Sequence, residues 1–138
     1  VRRLILLAVL SLGLAACGSS GTPATGPGQT GHPIQVEFGV TGGNIVPFTI
    51  SISPDGKINE QGTLRVGKKH VASATVASLS DAVRSDLPGL SDRQCKGTLP
   101  DVGSRFIKAD GKTVTVHGSC EAGFERLWSQ LTAAAGLD

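Results

Sequence analysis

Residues 18–33 set the outer limit on what this chain can fold into. Thirteen of these sixteen residues are Gly, Pro, Ser or Thr, and none is charged. Such a segment has almost no apolar surface whose burial could offset its ordering entropy. It reads as a flexible tether with a root-mean-square reach of roughly 20 Å. The seventeen residues before it read as a targeting segment, so folding is left to residues 34–138. About 105 residues make one domain with a modest core and little room for a deep substrate cleft.

The N-terminus has the layout of an export signal. Arg2 and Arg3 supply a positive start, and residues 4–12 are apolar except for Ser11. That run is too short to span a bilayer, which takes about 20 residues. Leu14-Ala15-Ala16-Cys17 closes the segment, and here the chain resembles the bacterial lipoprotein family, whose lipobox has this form. The resemblance implies a diacylglyceryl group on the Cys17 thiol and cleavage between Ala16 and Cys17. One acyl chain binds a membrane only marginally, whereas two anchor stably. The expected organisation is a signal peptide over 1–16, a lipidated Cys17 with its tether over 17–33, and a single domain over 34–138. The expected location is extracytoplasmic, with the membrane as one partner through the lipid.

Charge narrows the other partners. The chain carries 13 Lys and Arg against 11 Asp and Glu. Arg2 and Arg3 leave with the signal, so the mature chain balances. Without a clustered basic run it has no footprint for a nucleic-acid backbone. An envelope component or another protein is the remaining partner class, and a monomer is the expected state.

Residues 35–40 alternate, with Val36, Phe38 and Val40 opposed to Gln35 and Glu37, the mark of a half-buried strand. Residues 46–53 alternate again, and Pro47 places the start of that strand at a sheet edge. Pro54-Asp55-Gly56 is a turn, and residues 57–66 return as the partner strand, interrupted at Gly62. From Leu79 the period changes. Val76, Leu79, Val83 and Leu87 form one helical stripe, with Ser78 or Ser80 as cap, Asp81 in the first turn and Pro88-Gly89 as the stop. Residues 105–109 and 112–117 flank Asp110-Gly111, a strong hairpin signal. Residues 120–135 form the last helix, with Phe124, Leu127, Trp128 and Leu131 in its stripe and Ser119 as cap. The expected class is α+β: an antiparallel sheet of about five strands with two helices on one face, in the order β-β-β-α-β-β-α.

Lipidation of Cys17 leaves Cys95 and Cys120. In an exported protein that pair reads as a disulfide. The other uses of cysteine lack support, because the two are far apart and no Cys-x-x-Cys is present.

Catalytic and metal chemistry find few candidates. His32 lies in the tether and reads as solvated. Only His70 and His117 offer imidazole bases within the domain, and no Gly-x-Ser-x-Gly elbow is present. His117, at a strand end before Gly118-Ser119, is the candidate base of a small hydrolase. No His-Glu-x-x-His stands in the chain, and Asp55 and Asp110 stand alone in turns. No cofactor, metal site or catalytic residue is therefore assigned. Lys68-Lys69-His70 is the one basic cluster, either a solvated loop or a contact with anionic lipid heads. Trp128 is either core or a partner anchor.

The pattern of Thr41-Gly42-Gly43, the Asp55-Gly56 turn, the Leu79-Ser80 helix start and the Asp110-Gly111 hairpin also resembles the emfourin-like group. That group contains small inhibitors of thermolysin-like metallopeptidases beside many lipoproteins. The resemblance covers most of residues 36–131, carries over no inhibitory residue, and has no counterpart for the Cys95/Cys120 pair. The functional expectation is a lipid-anchored, non-catalytic binding domain, with an emfourin-like inhibitor and a small envelope hydrolase as alternatives.

Overall fold

A computed structural model of the chain describes residues 31–137. The signal segment, the cleavage position at Ala16 and Cys17, and most of the tether lie outside the described residues. Six strands form one sheet: β1 (Val36–Thr41), β2 (Phe48–Ile52), β3 (Ile58–Gly62), β4 (Arg93–Gln94), β5 (Ser104–Ala109) and β6 (Lys112–His117). Their spatial order is β3-β2-β1-β5-β6-β4. Helices α1 (Ser73–Asp86) and α2 (Ala122–Ala135) complete the α+β fold.

Alternation and turn chemistry account for most of the sheet. Val36 and Phe38 in β1, Ile50 and Ile52 in β2, Ile107 in β5, and Val114 and Val116 in β6 all face the helices and are buried. At the β5/β6 turn Asp110 and Gly111 both take positive φ, 47° and 76°. That is the type I′ geometry whose twist matches the strands on either side.

Three sequence expectations need correction. The sheet has six strands and is mixed, because β4 pairs parallel with β6, Arg93 opposite Val116 and Gln94 opposite His117. Strand β2 lies inside the sheet, between β3 and β1. Pro47 precedes its first paired residue, so the missing N–H removes no ladder bond. Neither helix has the expected serine cap. Helix α1 starts at Ser73, after an extended Ala72, and Asp81 falls well inside it. Ser80 is buried within α1, where its hydroxyl donates to the carbonyl oxygen of Val76 (2.8 Å) and accepts the N–H of Ile34 (3.1 Å). Helix α2 starts after Glu121, and Ser119 instead accepts a bond from the Arg105 guanidinium.

Helix α2 ends at Gly136, φ 76°, where the Gly136 and Leu137 N–H groups reach back to the carbonyls of Ala133 and Thr132. Phe124, Leu127 and Leu131 of α2 meet Val76 and Val83 of α1 over the sheet in one core. Trp128 belongs to this packing, edge-on to Phe38 (5.7 Å between centroids) and stacked with Phe124 (6.1 Å). It is only partly buried.

The two ends of the sheet differ. The chain enters at the start of β1, where Ile34 is bonded to α1 and the His32 carbonyl accepts from Arg84. The Asp110-Gly111 turn lies at this same end, since Val36 pairs with Ala109. At the other end the β1–β2 loop (residues 42–47) and the β4–β5 loop (residues 95–103) leave the sheet side by side, because Thr41 pairs with Ser104.

Gly39, in the middle of β1, is buried where β1 and β2 approach closely. A Cβ there would overlap the carbonyl oxygen of Phe48 and press on Thr49 Cα at 3.0 Å. Gly39→Ala should therefore cost about 1–3 kcal/mol, as overpacking does. The check is a lowered urea midpoint at an unchanged slope.

Candidate functional site

The far end of the sheet carries the most exposed large apolar side chains among the described residues: Ile45 (42 % exposed), Val46 (61 %), Leu99 (64 %) and Val102 (43 %). All four sit on the two adjacent loops. Exposed aliphatics gathered in one place mark interaction surfaces far more often than scattered ones do. The loops carry little charge, only Lys96 and Asp101 across both.

The two loops touch and are braced. The Asn44 N–H donates to the Asp101 carbonyl (2.9 Å), and Val102 N–H to that of Leu99 (3.1 Å), which closes a turn around Pro100-Asp101. Gly43 fits against Asp101, Val102 and Gly103, with no room for a Cβ, and its φ is 64°. The Ile45 side chain lies over Gly103 and beside Val40. Cys95 and Cys120 are joined, with their Cα atoms 5.7 Å apart, which ties the base of the second loop to the approach of α2.

His117 is the other brace. Cys95 N–H donates to its backbone carbonyl (2.9 Å). Its ring nitrogen Nε2 lies 3.2 Å from the Leu99 carbonyl oxygen, and Nδ1 lies 3.2 Å from Ser104 Oγ. A carbonyl can only accept, so in the neutral ring Nε2 carries the proton and Nδ1 accepts from the serine hydroxyl. The candidate base His117 thus meets Ser104, across the β5/β6 register. The donor order is that of a nucleophile and its base. The ring also pins the Leu99 turn onto the sheet.

Arg105 was not singled out by sequence reasoning. It sits on the helix-facing side of β5, and its guanidinium bonds both Glu125 carboxylate oxygens (2.5 and 2.8 Å), the Gly118 carbonyl (2.6 Å) and Ser119 Oγ (3.0 Å). It also lies over Trp128, 5.4 Å from the ring centroid. The pattern held a clue. Arg105 shares the inward register of Ile107 and Ala109, and a charge there needs an acidic partner on the covering helix.

The basic cluster is divided. Lys69 pairs with Glu60 at 2.6 Å, and that ammonium first, then the Val66 N–H, holds the Glu60 carboxyl below its ordinary range. Lys68 Nζ donates to the Ala133 carbonyl at the end of α2 (3.2 Å), and His70 pairs across to Lys57. The Asp55 carboxyl, bonded by Ser53 and the Lys57 N–H, is likewise lowered and holds its own turn together. The uncovered sheet face is polar: Thr49, Ser51, Asn59 and Gln61 point from it, and Glu37 pairs with Lys108 (3.0 Å) across the β1/β5 seam.

No protein-family model and no curated protein sequence matches the chain.

The braces make a prediction. Replacing Cys95 and Cys120 together by Ser should cost about 3–4 kcal/mol, the chain-entropy value for a loop of this length. Amide hydrogen exchange should quicken more in residues 96–103 than in β1–β3, where only the loss of global stability acts. Uniform quickening would mean that the bridge stabilises the domain without stiffening the loop.

Proposed function

We propose that this chain is a lipid-anchored, extracytoplasmic bacterial lipoprotein whose domain is a non-catalytic interaction module. Its binding surface is the two-loop tip, and its partner is an envelope protein. The lipobox Leu14-Ala15-Ala16-Cys17 and the uncharged tether support the anchor. No helix among the described residues is long and apolar enough to cross a membrane.

One observation carries the binding reading: Ile45, Val46, Leu99 and Val102 are exposed on loops that a disulfide, a histidine and a cross-loop bond hold still. Rigid presentation lowers the ordering cost of binding. The aliphatic tip also has no aromatic residue, and its single basic residue, Lys96, is balanced by Asp101, which supports a protein partner over a lipid one. The placement suits a leash. The chain enters at the start of β1, and the tip begins beyond its end, about 20 Å away for six extended residues.

Two narrower readings have an observation each. A braced, protruding Leu99-Pro100 turn suits the emfourin-like inhibitor, which would offer that turn to a thermolysin-like metallopeptidase. The Ser104–His117 pair suits a small hydrolase, which would use Ser104 as nucleophile and His117 as base.

Cys17→Ser should move the protein from the membrane to the soluble fraction, and retention on membranes would end the anchor assignment. Crosslinking in intact cells should capture a protein partner, and Val46→Asp with Leu99→Asp should weaken that capture at least tenfold without lowering the thermal midpoint. Inhibition of a thermolysin-like enzyme that the same double substitution abolishes would select the inhibitor. Fluorophosphonate labelling of Ser104 that His117→Ala abolishes would select the hydrolase.

A further inference from the structure

We infer that the groove between α1 and α2 binds a free fatty acid, its alkyl chain along the helices and its carboxylate at Lys68 and His70. The groove has a volume of about 630 Å³ and an apolar floor that includes Val71, Leu79, Ala82 and Ala134. It follows α1 from Ala72 to Ala82, about 15 Å at 1.5 Å per residue. Small side chains along both helices leave it open. Its two basic residues, Lys68 and His70, just precede α1, and neither Asp nor Glu is among the residues that line it; the Asp55 carboxylate lies near His70 on the side of the Gly56 turn.

The Lys68 ammonium is suited to an anion. Lys68 Nζ gives one hydrogen to the Ala133 carbonyl, which leaves two for a ligand. Lys69, the middle residue of the cluster, is turned away to Glu60, so the site is built from Lys68 and His70. The Gly136 and Leu137 N–H groups already satisfy the α2 carbonyls beneath Lys68. An inorganic anion would use the ammonium and leave the apolar floor bare. A neutral alkyl ligand would use the floor and leave the ammonium idle. A single-chain carboxylate uses both. The groove shares no residue with the tip, and neither reading depends on the other.

The test uses the full chain with Cys17→Ser and laurate, followed by calorimetry and amide chemical shifts. Saturable one-to-one binding below the micelle concentration is expected, with shifts confined to residues 68–82 and 130–137. Ser78→Trp, on the exposed rim, should weaken binding at least tenfold at an unchanged thermal midpoint. Should it lower the midpoint, Thr75→Trp one turn earlier takes its place. Lys68→Ala should weaken laurate about tenfold and leave uncharged monolaurin unaffected. Absence of saturation, shifts centred on residues 42–47 and 96–103, full binding by the filled groove, or equal binding of inorganic phosphate would each overturn the assignment.

Discussion

The pairing of β1 with β5 is the constraint on which the rest of this structure depends. It joins Val36–Thr41 to Ser104–Ala109, strands more than sixty residues apart in sequence, at the centre of the sheet. Without it the chain would hold two separate units, the β1-β2-β3 meander and the β5/β6 hairpin, neither with a complete core. Closing so long a loop costs entropy, which only contacts formed after closure can return. Those contacts are visible: Phe38 lies opposite Ile107, both fully buried, with Trp128 of α2 edge-on to Phe38. On the other face the same register sets Glu37 opposite Lys108. A slip by one residue would exchange these two environments.

The register also creates the tip. Thr41 and Ser104 are the last pair of the seam, so the chain leaving β1 and the chain arriving at β5 run past the sheet together. Each loop alone would be a short excursion with two exposed aliphatics. Side by side they support one another, and the tight fit at Gly43 and Gly103 lets them touch. The Cys95–Cys120 bridge and the His117 ring act on the second loop, the longer one. The first is held by its shortness and by Asn44.

Local features of the sequence made the hairpins and the second helix legible. Alternation over β1, β2 and β6 and the Asp110-Gly111 turn are written in adjacent residues, and so is the Phe124-Leu127-Leu131 stripe. What escaped was non-local. Strand β4 is two residues long, too short to show a period, and exists only because Arg93 and Gln94 meet β6. The start of α1 is not legible locally because Ser80 looks like a cap, whereas its hydroxyl serves the buried junction between α1 and Ile34. Ser104–His117 and Arg105–Glu125 are contacts across the β5/β6 register and between sheet and helix. The tip was illegible for the same reason: Val46 reads as a strand residue, and Ile45, Leu99 and Val102 fall between elements, until the seam brings them together.

The polar contacts inside this small domain share one purpose. Ser80 fixes where the chain enters, Arg105 fixes where α2 begins, and His117 fixes the loop between β4 and β5. Each sits at a junction between elements, where apolar packing is non-directional and cannot set an angle or a register. A domain of about 105 residues has too small a core to enforce such junctions by packing alone. Directional bonds supply the missing specification, and the bonded histidine stands directly behind the exposed turn. The rigidity of the tip is thus continuous with the rigidity of the sheet. That continuity separates a presented surface from a loose apolar loop, which would have to be ordered anew at each encounter.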